Sequence, residues 1–273
     1  MTTPIHTQVE SFCRDLGISK RDFPIDHEKY FQALSDQGWL AADWPRNDGG
    51  PDWDRETRLE FIRTLAGFLC PVPPDSVTVA APLLLALPMD DSRRQLLTDI
   101  RQAPGMYKLT LNDSDALVMS GPGGEIMLAE PGHATQQISR HGSGLWQLYE
   151  WMVGIEHIRY MAQHWDEPVT DEISEMQVEV DAAAATFLRD SELGDLQLQL
   201  HASQARLPVF SALFQSLGYY ALLDPDPLLS ANEPVPFREQ RYHLGQLRQL
   251  IARNEMLQMD QLYEIALREE DDA

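Results

Sequence analysis

The spacing of apolar residues changes period twice along this chain, and each change limits which element can form. From residue 27 to 40, Tyr30, Phe31, Leu34 and Gly38 share one helical face. From 54 to 69, Leu59, Phe61, Ile62, Leu65 and Phe68 keep the same three- and four-residue rhythm. Pro71-Val72-Pro73-Pro74 interrupts the pattern, Val77 to Leu87 reads as a small-residue apolar helix, and Asp90-Asp91-Ser92 caps a helix over Arg93 to Gln102. Between Pro104 and Gly132 the rhythm shortens. Met106 to Leu111, Ala116 to Met119 and Glu125 to Ala129 are short runs divided by the turn signals Asn112-Asp113-Ser114 and Gly121-Pro122-Gly123-Gly124, which predicts short strands. From Gly144 the helical pattern returns over 144 to 165, 171 to 190, 195 to 223 and 238 to 268. Pro208 kinks or divides the third of these segments. Long helices with short connections pack as an antiparallel bundle. The expected fold is therefore mainly α: an N-terminal helical domain over 1–104, a strongly reduced β segment over 105–140, and a C-terminal four-helix bundle over 141–273.

Charge removes several classes of function. The formal net charge of -22, from 43 acidic against 21 basic residues, repels a phosphate backbone or an anionic bilayer, so neither nucleic acid nor membrane is an expected partner. Val77 to Leu87, the longest apolar run, is interrupted by Pro82 and too short to span a bilayer, and the N-terminus has no basic stretch followed by an apolar one. Cys13 and Cys70 are too few for a disulfide framework or a thiolate zinc site and read as buried thiols in a reducing compartment, so the expected location is cytoplasmic. His157, His164, His201 and His243 fall on different predicted segments without the paired spacing of a zinc motif, so no metal is expected. Gly121 to Gly124 is not followed by the Lys-Ser/Thr or helix start of a phosphate loop, and Gly142-Ser143-Gly144 lacks the strand-to-helix elbow of a hydrolase nucleophile. Trp39, Trp44 and Trp53 read most simply as packing residues.

One stretch is more patterned than any loop requires. Gly38-Trp39-Leu40-Ala41-Ala42-Asp43-Trp44-Pro45-Arg46-Asn47-Asp48-Gly49-Gly50, directly after an amphipathic helix, resembles the N-terminal helical domain of the acyl-CoA dehydrogenase family. Ala86 to Arg101 is similar to the family's charged helix before the domain exit. Ala202-Ser203-Gln204-Ala205-Arg206-Leu207, Phe210 to Leu217 and Gly218-Tyr219-Tyr220-Ala221-Leu222-Leu223 resemble its third bundle helix and exit. Leu250 to Gln258 occupies the place of its last helix. The resemblance covers most of the chain apart from the middle.

That resemblance implies flavin-dependent α,β-dehydrogenation of an acyl-CoA, and it also marks what this chain has lost. The family's middle β-domain supplies contacts to the isoalloxazine and a wall of the substrate cleft, whereas here only a remnant remains; Glu130-Pro131-Gly132 echoes the usual Thr-Glu-Pro without the Ser-Asp that should follow. Met161 to Glu167 lacks the arginine and glycine that reach a flavin pyrophosphate, and Arg253, Asn254 and Glu255 stand where paired glycines admit FAD. Arg253 is the remaining cofactor-binding candidate, through a phosphate. The reaction needs a carboxylate base beside the substrate, and near the common base position the chain has Ala252-Arg253, which cannot accept a proton. Some family members take the base from the first bundle helix, where Glu150 is the nearer candidate.

The expectation is thus a non-catalytic subunit of a heteromeric acyl-CoA dehydrogenase acting on a bulky acyl-CoA such as a steroid side chain. A full-length homologue would supply the base and most FAD contacts in a heterotetramer of two short and two long chains. The alternatives are a non-enzymatic scaffold or regulatory protein built on the same fold, and a self-sufficient atypical flavoprotein using Glu150.

Overall fold

A computed structural model describes residues 3–18, 25–112, 114–134, 143–165 and 170–189. The predicted segments over 195 to 223 and 238 to 268, with Pro208, His201, His243 and Arg253, lie outside the described residues.

The first helix, α1 (Ile5–Asp15), has no counterpart among the predicted elements. It buries Ile5, Val9 and Cys13, a strict four-residue repeat, and ends where Gly17 turns left-handed at φ 71° so that Ile18 N–H reaches the Cys13 carbonyl at 2.8 Å. α2 (His27–Asp36) starts on the Asp26 carboxylate, which accepts from Lys29 N–H at 3.1 Å, and buries Tyr30 and Leu34. It stops short of residue 40. Gly38, at φ 73°, redirects the chain into a 3₁₀ turn, Trp39–Ala41, whose residues are all buried. α3 (Arg55–Gly67) is capped by Asp54, which accepts from Thr57 N–H at 2.7 Å, and buries Leu59, Phe61, Ile62, Leu65 and Ala66.

The apolar run after the prolines is wound in two ways. Ser76–Ala80 forms a π-helical turn that runs directly into α4 (Ala81–Ala86), so the widened turn lies just before Pro82, which has no N–H to donate to the preceding turn. The buried Ser76 hydroxyl donates to the Pro104 carbonyl at 2.8 Å, tying this turn to the point where the chain enters the sheet. Asp90 caps α5 (Asp91–Gln102) through Arg93 N–H at 2.8 Å, as its position predicts.

The sheet is an antiparallel meander of β1 (Lys108–Leu111), β2 (Leu117–Gly121) and β3 (Gly124–Ala129) in that order. Pro122-Gly123 is its tight turn, and Gly121 pairs with Gly124 across it. Leu109, Leu117, Met119 and Ala129 are buried against the helices, while β3 is an edge strand exposed from Gly124 to Met127. A sheet this small holds its shape only by leaning on helices.

α6 (Gly144–Trp165) and α7 (Thr170–Phe187) complete the described fold. α6 packs along α3 and α7, and α1 lies against α3. An aromatic chain runs through these contacts. Phe12 of α1 meets Trp39 at 5.1 Å between ring centres, Trp39 meets Phe61 at 5.5 Å, Phe61 meets Trp146 of α6 at 6.2 Å, and Trp146 meets Tyr149 at 5.7 Å. Arg55 closes the far end, donating to the Phe187 carbonyl at 2.7 Å with its guanidinium 5.3 Å from the Phe187 ring centre. The result is mainly helical, with N- and C-terminal helical regions around a small three-stranded sheet.

Candidate functional site

α6 carries the acids and imidazole that sequence reasoning singled out. Glu150 and His157 are seven residues apart, so they lie on nearly the same helical face, and both are buried, at 5% and 1% exposure. Trp146 and Val153 occupy the neighbouring turns and are buried as well. The Glu150 carboxylate therefore sits within the packed interior of the helices, and neither of the two cavities described below is lined by it. Glu156 instead ion-pairs with Arg159, which also donates to Gln177 of α7 at 2.9 Å. That arrangement joins two helices.

A buried polar junction fixes where α6 begins. Ser143 caps it by accepting from Trp146 N–H at 3.2 Å, and the same hydroxyl donates in a short hydrogen bond to Asp43 Oδ2. Burial pushes the Asp43 carboxyl above its ordinary value, opposed by the Ser143 hydrogen bond and by the Arg58 charge. Residue 43 as a whole is half-buried, but its Oδ1 is shielded from solvent, with the Trp146 side chain beside the carboxylate. Ser143 is thus a helix cap that anchors the tryptophan-rich loop to α6, and its flanking glycines have no nucleophilic role to serve.

The same loop explains its double glycine. Gly49 turns left-handed at φ 97°, and a Cβ on Gly50 would stand 2.0 Å from the Trp44 carbonyl oxygen. Trp39 and Trp44 are buried at 6% and 1%, while Trp53 packs at their margin, so the tryptophans act as core here.

The larger cavity is an open groove of about 770 Å³ between the α4–α5 region and the β2–β3 hairpin. Its apolar wall includes Leu84, Leu96, Tyr107, Met119 and Ile126, and its rim carries Asp90, Asp91 and Asp99 against a single Arg93. A smaller surface recess of about 550 Å³ is bordered by His6, Glu56, Glu60 and Arg63, with His6 Nδ1 2.7 Å from Glu60. Both are net acidic at their edges. A dinucleotide pyrophosphate requires convergent cations or backbone N–H groups at a helix start. Asp90, at the start of α5, instead occupies the free N–H groups with its own carboxylate. The linings of these two cavities offer no such convergent cations, and no chemical step through flavin follows from them.

Among the described residues, no group of three or more His, Cys, Asp or Glu side chains is placed to hold a metal ion. No helix among them is long and apolar enough to cross a membrane. Two features escaped sequence reasoning because they join distant positions: the Asp43–Ser143 junction, and the approach of Cys13 to Cys70. An Asp inside an apolar loop was the only local sign of the first.

No protein-family model matches the sequence, and no curated protein does. Solved structures do match. A chain of a variant Tcur3481–Tcur3483 steroid ACAD aligns over 98% of this chain and 97% of its own at 11% identity and TM-score 0.54. The prolyl acyl carrier protein oxidase AnaB aligns over 97% of each chain at 12% identity and TM-score 0.53. A chain of the ChsE4–ChsE5 complex from Mycobacterium tuberculosis aligns over 98% of this chain and 97% of its own at 12% identity and TM-score 0.51. At identities this low the likeness establishes the fold: this chain has an acyl-CoA dehydrogenase-like fold, with a strongly reduced sheet.

Proposed function

We propose that this chain is the shortened, catalytically silent subunit of a flavin-dependent acyl-CoA dehydrogenase complex. A full-length homologue carries the base and most of the FAD contacts, and the two assemble as a heterotetramer. The observation that carries the reading is an asymmetry within the fold. The helical frame is capped, joined by an aromatic chain and packed along α3–α6, whereas the sheet has three short strands and ends in the exposed strand β3. Selection that preserves a frame while discarding a cofactor wall fits a subunit kept for its interface. The interior position of Glu150 and the acidic edges of the described cavities favour a silent chain over a self-sufficient flavoprotein.

The substrate class follows from the same reduction. A smaller sheet leaves room beside the partner's cleft, which suits a bulky acyl-CoA, and a steroid ACAD shares the fold. The cytoplasm is the proposed compartment. Co-expression with a full-length homologue encoded nearby, followed by light scattering, tests the assembly. A stable mixed oligomer of two short and two long chains is expected, and separate elution of the two chains contradicts the proposal. A mixed oligomer devoid of flavin would identify a scaffold instead.

A further inference from the structure

Cys13 of α1 and Cys70, just beyond α3, lie 57 positions apart in sequence, yet their sulfurs are 3.9 Å apart and both residues are fully buried. They sit in a small polar island within the apolar core. Tyr30 of α2 lies beside the Cys70 thiol, and Tyr149 of α6 donates to the Cys70 carbonyl at 2.7 Å. The backbone around Cys70 is fixed on both sides, because Leu69 is held left-handed at φ 57° and Cys70 N–H reaches the Leu65 carbonyl at 3.3 Å. Cys13 lies on α1, which packs on α3 and is tied to it by His6 Nδ1–Glu60 at 2.7 Å. α1 is the first described helix, its N-cap is Pro4 with no side-chain hydrogen bond, and Ile5, Val9 and Cys13 are its buried residues.

We propose that Cys13 and Cys70 form an oxidative modification site, closing to an intramolecular disulfide that staples α1 to the end of α3. A disulfide needs sulfurs about 2 Å apart, so the pair must close by roughly another 2 Å, a shift within reach of a side-chain rotation and a small movement of α1. While α1 is docked the pair is inert: burial pushes the Cys70 thiol well above its usual range, and no small oxidant reaches it. Opening of α1 exposes both sulfurs at a cost below that of global unfolding. One thiol then ionises and attacks a small disulfide, expelling one small thiolate and forming a mixed disulfide. As α1 docks again, the second thiol, deprotonated, attacks the protein sulfur of that mixed disulfide and expels the other small thiolate. Two electrons pass to the small disulfide, and the two protons lost by the cysteines end on the two released thiols.

The test is to incubate the full chain with oxidised glutathione, alkylate the remaining thiols in denaturant, and measure intact mass and linked peptides. The expected product is a monomer that has lost both alkylatable thiols together, contains a Cys13–Cys70 linked peptide, and is restored by dithiothreitol. Its melting temperature is expected to rise by about 5–15 °C, from closing a loop of this length. Val9→Ala, which loosens α1, is expected to speed the reaction by about tenfold, whereas Cys13→Ala is expected to retain glutathione on Cys70. Persistent glutathione adducts on the unsubstituted chain, disulfide-linked dimers, two thiols still free in the Val9→Ala chain, or a lower melting temperature on oxidation would each overturn the proposal.

Discussion

Asp43 shows how one residue joins local sequence to tertiary structure. Its carboxylate receives the Ser143 hydroxyl at the start of α6, yet burial holds its folded pKa above the ordinary value of 3.8. A raised folded pKa means that the folded chain binds the proton more tightly than the unfolded one. The stabilising contribution is therefore present below about pH 3.8 and is lost as pH rises through the folded value. Asp43→Asn keeps an acceptor for Ser143 without the charge, so its melting temperature should exceed that of the unsubstituted chain near neutral pH, with the difference shrinking in acid. Melting curves across that range check the sign. Gly50 gives a steric prediction: Gly50→Ala places a Cβ 2.0 Å from the Trp44 carbonyl oxygen, and the forced shift should cost at least about 2 kcal/mol in denaturant unfolding.

Elements were legible where punctuation and periodicity agreed. Asp90 caps α5 as its position predicts, Asp54 caps α3 at the start of the predicted 54–69 helix, and the Gly121 to Gly124 turn closes the β2–β3 hairpin. α1 carries the i, i+4, i+7, i+8 spacing of an amphipathic helix in Ile5, Val9, Phe12 and Cys13, but its start is unmarked, because its N-cap is a proline rather than a side-chain acceptor. Ser76–Ala80 was readable as helical but not as a π turn, since small apolar residues suit either winding and the buried Ser76–Pro104 hydrogen bond that accompanies it is tertiary. Glu150 was legible as a helix residue, but its burial depends on packing across α6 that periodicity does not reveal. α6 also sets the strongest packing prediction. Trp146 is fully buried and stacks edge-on against Phe61 of α3, so Trp146→Ala should cost about 3–5 kcal/mol in chemical unfolding. A loss below about 1 kcal/mol would mean that the α3–α6 contact is not the structural spine described here.

At the scale of the whole molecule, charge and truncation act together. A net charge of -22 opposes compaction, so the melting temperature should rise when salt is raised from about 10 mM to about 1 M, where the screening length falls from roughly 30 Å to roughly 3 Å. The same charge, with acidic rims on the two described cavities, opposes the approach of a dinucleotide polyanion to those cavities. The helical frame nevertheless shares the fold of a steroid ACAD and of a prolyl acyl carrier protein oxidase. Fold and cofactor are thus separable in the proposed silent subunit, and the visible absorption spectrum tests that separation most directly. The chain is purified alone, exposed to FAD, desalted and compared with a mixture containing the full-length homologue. A colourless chain that enters a yellow mixed oligomer is the predicted result. Flavin retained by the chain alone would contradict the account.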